Sequence, residues 1–170
     1  MKRLFFVFSI VTLLLGACSM KANRDQAAAD IAAAEAQLAQ VNIAVDEQQA
    51  HDLMALYQQF ATDYPEDSLA PVYLQKSADI CLNLGDNDQA LAILDTLIAQ
   101  YPGYDDLAGC LFLKGQAYEN SEQYDLARQA YTQFVDQYPD HVLAPDTRKM
   151  LPYIGLTPEE MLNAILSGKE

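Results

Sequence analysis

The residues whose types could support catalysis or metal binding are few and badly spaced for either. His51 and His141 are the only histidines, ninety positions apart. Neither falls in an HExxH, a CxxC or a Cys/His cluster with metal-ligand spacing, so no metal site is expected. Asp86-x-Asp88 opens like a calcium loop, but Ala90 stands where a third oxygen ligand belongs and the loop glycine is missing. The stretch reads better as a turn whose aspartate caps a helix. No G-x-S-x-G and no phosphate-cradling glycine loop occurs, and nothing singles out a buried pair among the 24 carboxylates. The expectation is a non-catalytic chain without cofactor.

The amino terminus carries a different signal. Lys2-Arg3 precedes an uncharged run from Leu4 to Leu15, followed by Gly16-Ala17-Cys18. A basic start, a short apolar stretch and small residues form a secretory signal, and twelve apolar residues are too few to span a bilayer. Leu15-Gly16-Ala17-Cys18 resembles the lipobox of bacterial lipoproteins. The resemblance implies removal of residues 1–17 and lipid attachment at Cys18, with the protein held in the cell envelope. Ser19 after the cysteine implies an outer-membrane address facing the periplasm, while the leaflet stays open. In an exported chain a Cys81–Cys110 disulfide is permitted but not required.

Without residues 1–17 the chain has 153 residues and a formal charge of −16, against −14 for the whole. That length suits one domain with a proper core. Between Asp25 and Asp146 only Lys76, Lys114 and Arg128 are basic. Phosphate backbones and anionic headgroups are bound by Lys and Arg, so nucleic acid is excluded as a partner and the membrane is expected only through Cys18.

Helical elements must carry whatever else the chain does. Tyr64-Pro65, Tyr101-Pro102 and Tyr138-Pro139 recur at a period of 37. Five residues before each proline stand Phe60, Leu97 and Phe134; eight before, Tyr57, Leu94 and Tyr131; twelve before, Leu53, Ala90 and Ala127. Steps of three and four place these on one helix face, and proline ends the helix. Leu74 with Ala78, and Leu111 with Gly115, belong to a preceding helix, separated by Gly85-Asp86-Asn87-Asp88 and Asn120-Ser121-Glu122-Gln123. Each period is therefore two antiparallel helices, with Ala78 facing Ala90 and Gly115 facing Ala127 at close approach.

Leu111, Gly115, Tyr118, Ala127, Tyr131, Phe134 and Pro139 resemble the tetratricopeptide repeat, and Leu74, Ala78, Ala90, Leu94, Leu97 and Pro102 fit the same order with Cys81 in an aromatic slot. In the first unit Gln37 and Val41 depart from the pattern. The resemblance implies an all-α helical solenoid, a right-handed superhelix of antiparallel pairs with helical caps. Its repeats fall at about 71–104 and 108–141, with a partial repeat at 46–65 and capping helices at 143–170. Residues 18–45 are expected to hold the anchor linker and an Ala-rich helix whose apolar stripe is Ile31, Leu38 and Val41. Asp46 with Gln49 marks the next helix start. Thr157-Pro158-Glu159-Glu160 marks the last, whose Met161, Leu162, Ile165 and Leu166 are expected to cover the final repeat. The three-residue excess over the usual repeat is similar to that of periplasmic and outer-membrane lipoproteins, including a β-barrel assembly lipoprotein and cell-division coordinators.

The family's groove falls on the first helix of each repeat. The resemblance assigns it to Gln75, Asp79, Leu82 and Asn83, and to Phe112, Gln116, Glu119 and Asn120, with Lys149 and Tyr153 extending the line. Leu82 and Phe112 are large apolar residues on that face, suited to an extended peptide or helix, or else to packing against the caps. An envelope protein in the groove is the expected partner. Two rival readings are a holdase for exported polypeptides and a spacer that self-associates through the Ala-rich helix.

Overall fold

The computed structural model describes residues 21–39 and 47–168. The signal segment, Cys18, Val41 and the Asp46 helix start lie outside the described residues. All regular structure among the described residues is helical, with α1 at residues 21–38. It continues with α2 (Glu47–Asp63), α3 (Leu69–Leu84), α4 (Asn87–Gln100), α5 (Leu107–Asn120), α6 (Tyr124–Gln137), α7 (Ala144–Met150), a 3₁₀ turn (Leu151–Tyr153) and α8 (Pro158–Leu166). The chain divides into two compact units, residues 1–73 and 74–170.

The 37-residue period is visible in the backbone bonding of the corners. The N–H groups of Tyr64, Tyr101 and Tyr138 donate to the carbonyls of Phe60, Leu97 and Phe134, closing the last turn before each proline. Three residues on, the N–H groups of Asp67, Tyr104 and His141 donate back to those tyrosine carbonyls, and those of Ala70, Leu107 and Ala144 donate to the carbonyls of Asp67, Tyr104 and His141. Proline cannot supply the next helical bond, so each chain reverses through the same pair of turns.

In the first unit Leu53, Tyr57 and Phe60 are buried along α2, as their spacing requires. Tyr73 stacks on Tyr57 at 5.2 Å and meets Phe60 edge-on at 4.9 Å. Ile31 of α1 is 1 % exposed, whereas Leu38 is half-buried. The Tyr57 hydroxyl donates to Glu35 at 2.6 Å. Burial, reinforced by that glutamate, pushes the Tyr57 hydroxyl well above its ordinary range. Tyr131, the equivalent residue two periods on, donates to Glu119 at 2.9 Å. Tyrosine and glutamate are 22 positions apart in the first case and 12 in the second. The Ala-rich helix thus supplies α2 with the glutamate that the end of α5 supplies to α6, through a longer connection.

In the second unit α4 packs on α5, α5 on α6 and α6 on α7. One core cluster joins Ala108, Leu111, Phe134, Val135 and Ala144, and another joins Ala127, Tyr131 and Ile154. Phe134 is fully buried, so truncating it to alanine would cost about 3–5 kcal/mol. Gly115 is needed for close approach, as expected, but the nearest group is the Tyr131 ring: a Cβ there would lie 2.4 Å from its nearest carbon. α7 stops at Met150 and the chain continues as the 3₁₀ turn that carries Pro152.

The helix ends follow their sequence signals closely. Asp86 caps α4 by accepting from the Gln89 N–H. Thr157 and Glu160 form a complete capping box with Pro158 in the first turn. α8 nonetheless buries no residue. Met161, Leu162, Ile165 and Leu166 are exposed, which corrects the expectation that this stripe covers the last repeat. Closure comes instead from the segment before it: Ile154 is 2 % exposed, the Arg128 guanidinium donates to its carbonyl at 2.8 Å, and Gly155 lies against the Tyr124 ring.

Candidate functional site

The expected groove residues all lie in the second unit, and the structure divides them into two kinds. Gln75 is tied down on both ends of its amide. Its Oε1 accepts from the Tyr104 hydroxyl at 2.5 Å and its Nε2 donates to Asp106 Oδ2 at 2.7 Å. Asp106 in turn caps α5 by accepting from the Gly109 N–H at 3.0 Å. Gln75 therefore splices α3 to the corner and to the start of α5. Its amide is occupied within the fold.

Phe112 is also committed. It is half-buried, 5.4 Å from Tyr131 and 5.6 Å from Phe134, and packs against both core clusters. Of the two readings open for Phe112, groove contact and packing, these contacts fit packing, while part of the ring stays exposed. Glu119 holds the Tyr131 hydroxyl, and Asn120 reaches Asn87 Oδ1 at 3.4 Å. These residues shape the helix pairs.

Asp79, Leu82, Asn83 and Gln116 remain. Asp79 and Asn83 are exposed and Leu82 and Gln116 half-buried. Asp79 is open to solvent, yet surrounding protein holds its carboxyl above the ordinary range, with the Asp106 carboxylate adding to the effect. The fields of Asp79 and Asp106 also reach the Cys110 thiol, which burial raises to about 12. Tyr104 is raised to about 12, chiefly by burial, with Asp106, Asp105 and Asp79 contributing. The lining of α3 and the start of α5 thus carries the carboxylates Asp79 and Asp106.

Two further residues belong to this lining, Tyr104 and Asp106. Both lie in "PGYDDLAG", the segment inserted after the proline. Asp106 was open to recognition as an aspartate immediately before an apolar helical run. Tyr104 has no local signal, because its bond to Gln75 spans 29 positions. Lys149 is exposed and pairs with Asp146 at 2.8 Å, and Tyr153 is half-buried in the 3₁₀ turn.

The cysteines and histidines considered first for chemistry are separately placed. Cys81 and Cys110 are buried free thiols, so the bridge left open by the sequence is not formed. Burial raises Cys81 to about 11, which leaves neither thiol nucleophilic at neutral pH. His51 is exposed. His141 is half-buried: its ring meets Phe134 edge-on at 5.2 Å and Nδ1 accepts from the Leu143 N–H. No group of three or more metal-ligating side chains occurs among the described residues.

The scaffold that carries these residues is recognisable. Residues 74–104 and 110–141 match the tetratricopeptide repeat family. The fold is an all-α tetratricopeptide-repeat solenoid. The matched repeats contain all eight expected groove positions. Comparison with curated proteins gives no match to the chain.

Proposed function

We propose that this protein is a non-catalytic adaptor, lipid-anchored in the bacterial cell envelope, that holds another envelope protein through the concave face of its repeats. The reading is carried by one combination: a lipobox-like Leu15-Gly16-Ala17-Cys18 ahead of two tetratricopeptide repeats. Tetratricopeptide repeats are protein-interaction modules, and the acidic lining around Asp79 and Asp106 favours a partner segment with basic side chains. The outer membrane, with the repeats in the periplasm, fits Ser19 after the cysteine.

The test has two arms. Radiolabelled fatty acid should enter the parent chain in cells and not Cys18→Ala, which should also leave the membrane fraction. Affinity capture from envelope membranes should recover one protein with the parent and lose it with Asn83→Ala, Gln116→Ala, a pair chosen because neither side chain supports the core. Recovery of the same proteins by both baits would move the self-associating spacer ahead.

A further inference from the structure

A lipid anchor is commonly separated from its folded cargo by a flexible stretch; here the folded part begins almost at once. Cys18 is three residues from the first described position of α1 and six from Arg24. Three extended residues and one helical turn put the two α-carbons within roughly 15 Å of each other. Arg24 is not free to swing. Its Nε donates to Asp67 Oδ2 at 2.7 Å and its Nη2 to Asp67 Oδ1 at 3.1 Å, a fork that matches both carboxylate oxygens. The guanidinium also lies 5.7 Å from the Phe60 ring centroid. The bond to Asp67 raises the Arg24 pKa and lowers that of Asp67, so both ends are charged across the ordinary range.

Asp67 is a corner residue, whose N–H and carbonyl both form the turns between α2 and α3. Its Oδ1 also accepts from the Leu69 N–H at 2.9 Å, at the start of α3. Arg24 therefore joins the anchor end of the chain to the first corner of the folded unit. Further along α1, Ile31 and the Glu35–Tyr57 bond keep that helix docked.

Resting on the lipid-anchored reading above, we infer that the Arg24–Asp67 pair holds the α2–α3 corner directly against the bilayer surface, so that the first unit sits on the membrane instead of on a tether. The lipid partner is a zwitterionic headgroup layer. Arg24 is already neutralised, Glu66 and Asp67 are acidic, and Lys21 is the one remaining basic residue near the anchor. Proximity is thus imposed by the covalent anchor and the pair, not by attraction to anionic lipid.

Geometry can be measured apart from cellular lipidation. The chain from Cys18 onward is coupled through that thiol to a maleimide-bearing lipid in phosphatidylcholine vesicles. Cys81 and Cys110 are buried and stay unreacted. A donor dye is placed on an azide-bearing amino acid at Ser68, an exposed corner position, with acceptor dyes on the headgroups. Transfer should be high in the parent chain. It should fall at least about twofold when a flexible Gly-Ser segment of about 15 residues, roughly 20 Å in mean span, is inserted between Ser19 and Met20. Arg24→Ala should move transfer toward the inserted chain while circular dichroism stays unchanged. Parent transfer as low as that of the inserted chain, or Arg24→Ala transfer equal to the parent, would overturn the inference. Neither result would bear on whether Cys18 is acylated in cells, which the fatty-acid arm reads separately.

Discussion

Gly85 and Glu122 stand one 37-residue period apart at the same point of the helix turn, and both have positive φ, +79° and +58°. Each is the left-handed residue after a helix, with paired bonds closing the end. The Gly85 N–H donates to the Leu82 carbonyl and the Asp86 N–H to Cys81; the Glu122 N–H donates to Glu119 and the Gln123 N–H to Tyr118. This helix-ending motif asks for glycine, and one repeat supplies glutamate.

Glu122→Gly should therefore stabilise the protein, although glycine ordinarily loosens a chain. A side chain in the left-handed region costs about 1–2 kcal/mol, and glycine's greater unfolded-state entropy returns part of that. The expected gain is about 1 kcal/mol in a denaturant titration. Gln123 adds a second deficiency. Its backbone, at φ −85° and ψ 59°, matches that of Asp86 at −85° and 67°, yet it makes no side-chain cap bond. Gln123→Asp should contribute a further ~0.5–1 kcal/mol. No gain from the pair would mean that the turn in solution differs from that of Gly85.

The repeats were legible because their signals are local: the Tyr-Pro stops, Asp86 before α4, and Thr157 with Glu160 before α8. α1 escaped the period because its partner glutamate is 22 positions from Tyr57 rather than 12, so no 37-residue offset finds it. Phe112 shows a different limit. It flanks the core stripe of Leu111 and Gly115, and helical spacing alone does not decide on which side of the rim such a ring falls. The Gln75 bonds were illegible because they join residues 29 and 31 positions apart.

Gly115→Ala should destabilise, against the helix propensity that favours alanine by about 1 kcal/mol. The added methyl would meet the Tyr131 ring, itself 1 % exposed and bonded to Glu119. Overpacking of this kind costs typically about 1–3 kcal/mol. Guanidinium unfolding of the two proteins reads the difference directly, and a more stable variant would show that the α5–α6 contact is looser than this.

Asp79→Asn tests the acidic lining through its pH dependence. The folded protein raises the Asp79 pKa above its ordinary 3.8. The associated stability is full below that value and is lost as pH rises through the folded pKa, so at pH 7 the ionised carboxylate opposes folding. The variant should melt above the parent at pH 7, and the gap should close as the pH falls below about 4. A lower melting temperature at pH 7 would mean that a cation compensates Asp79 within the chain.

Substitutions on α8 separate a covering helix from a free one. Leu162, Ile165 and Leu166 are 56 %, 57 % and 75 % exposed, and no residue of the helix is buried. Because folding removes little of their surface from water, Ile165→Ser and Leu166→Ser should each change stability by less than about 0.5 kcal/mol. Ile154→Ala, at a side chain only 2 % exposed between Ala127 and Tyr131, should cost about 2–5 kcal/mol. Should the α8 changes cost as much as the Ile154 change, the stripe is packed in solution and the last repeat is closed by α8 after all. Equal stability of parent and α8 variants assigns closure to the Leu151–Gly155 segment and leaves the apolar stripe of α8 outside the core.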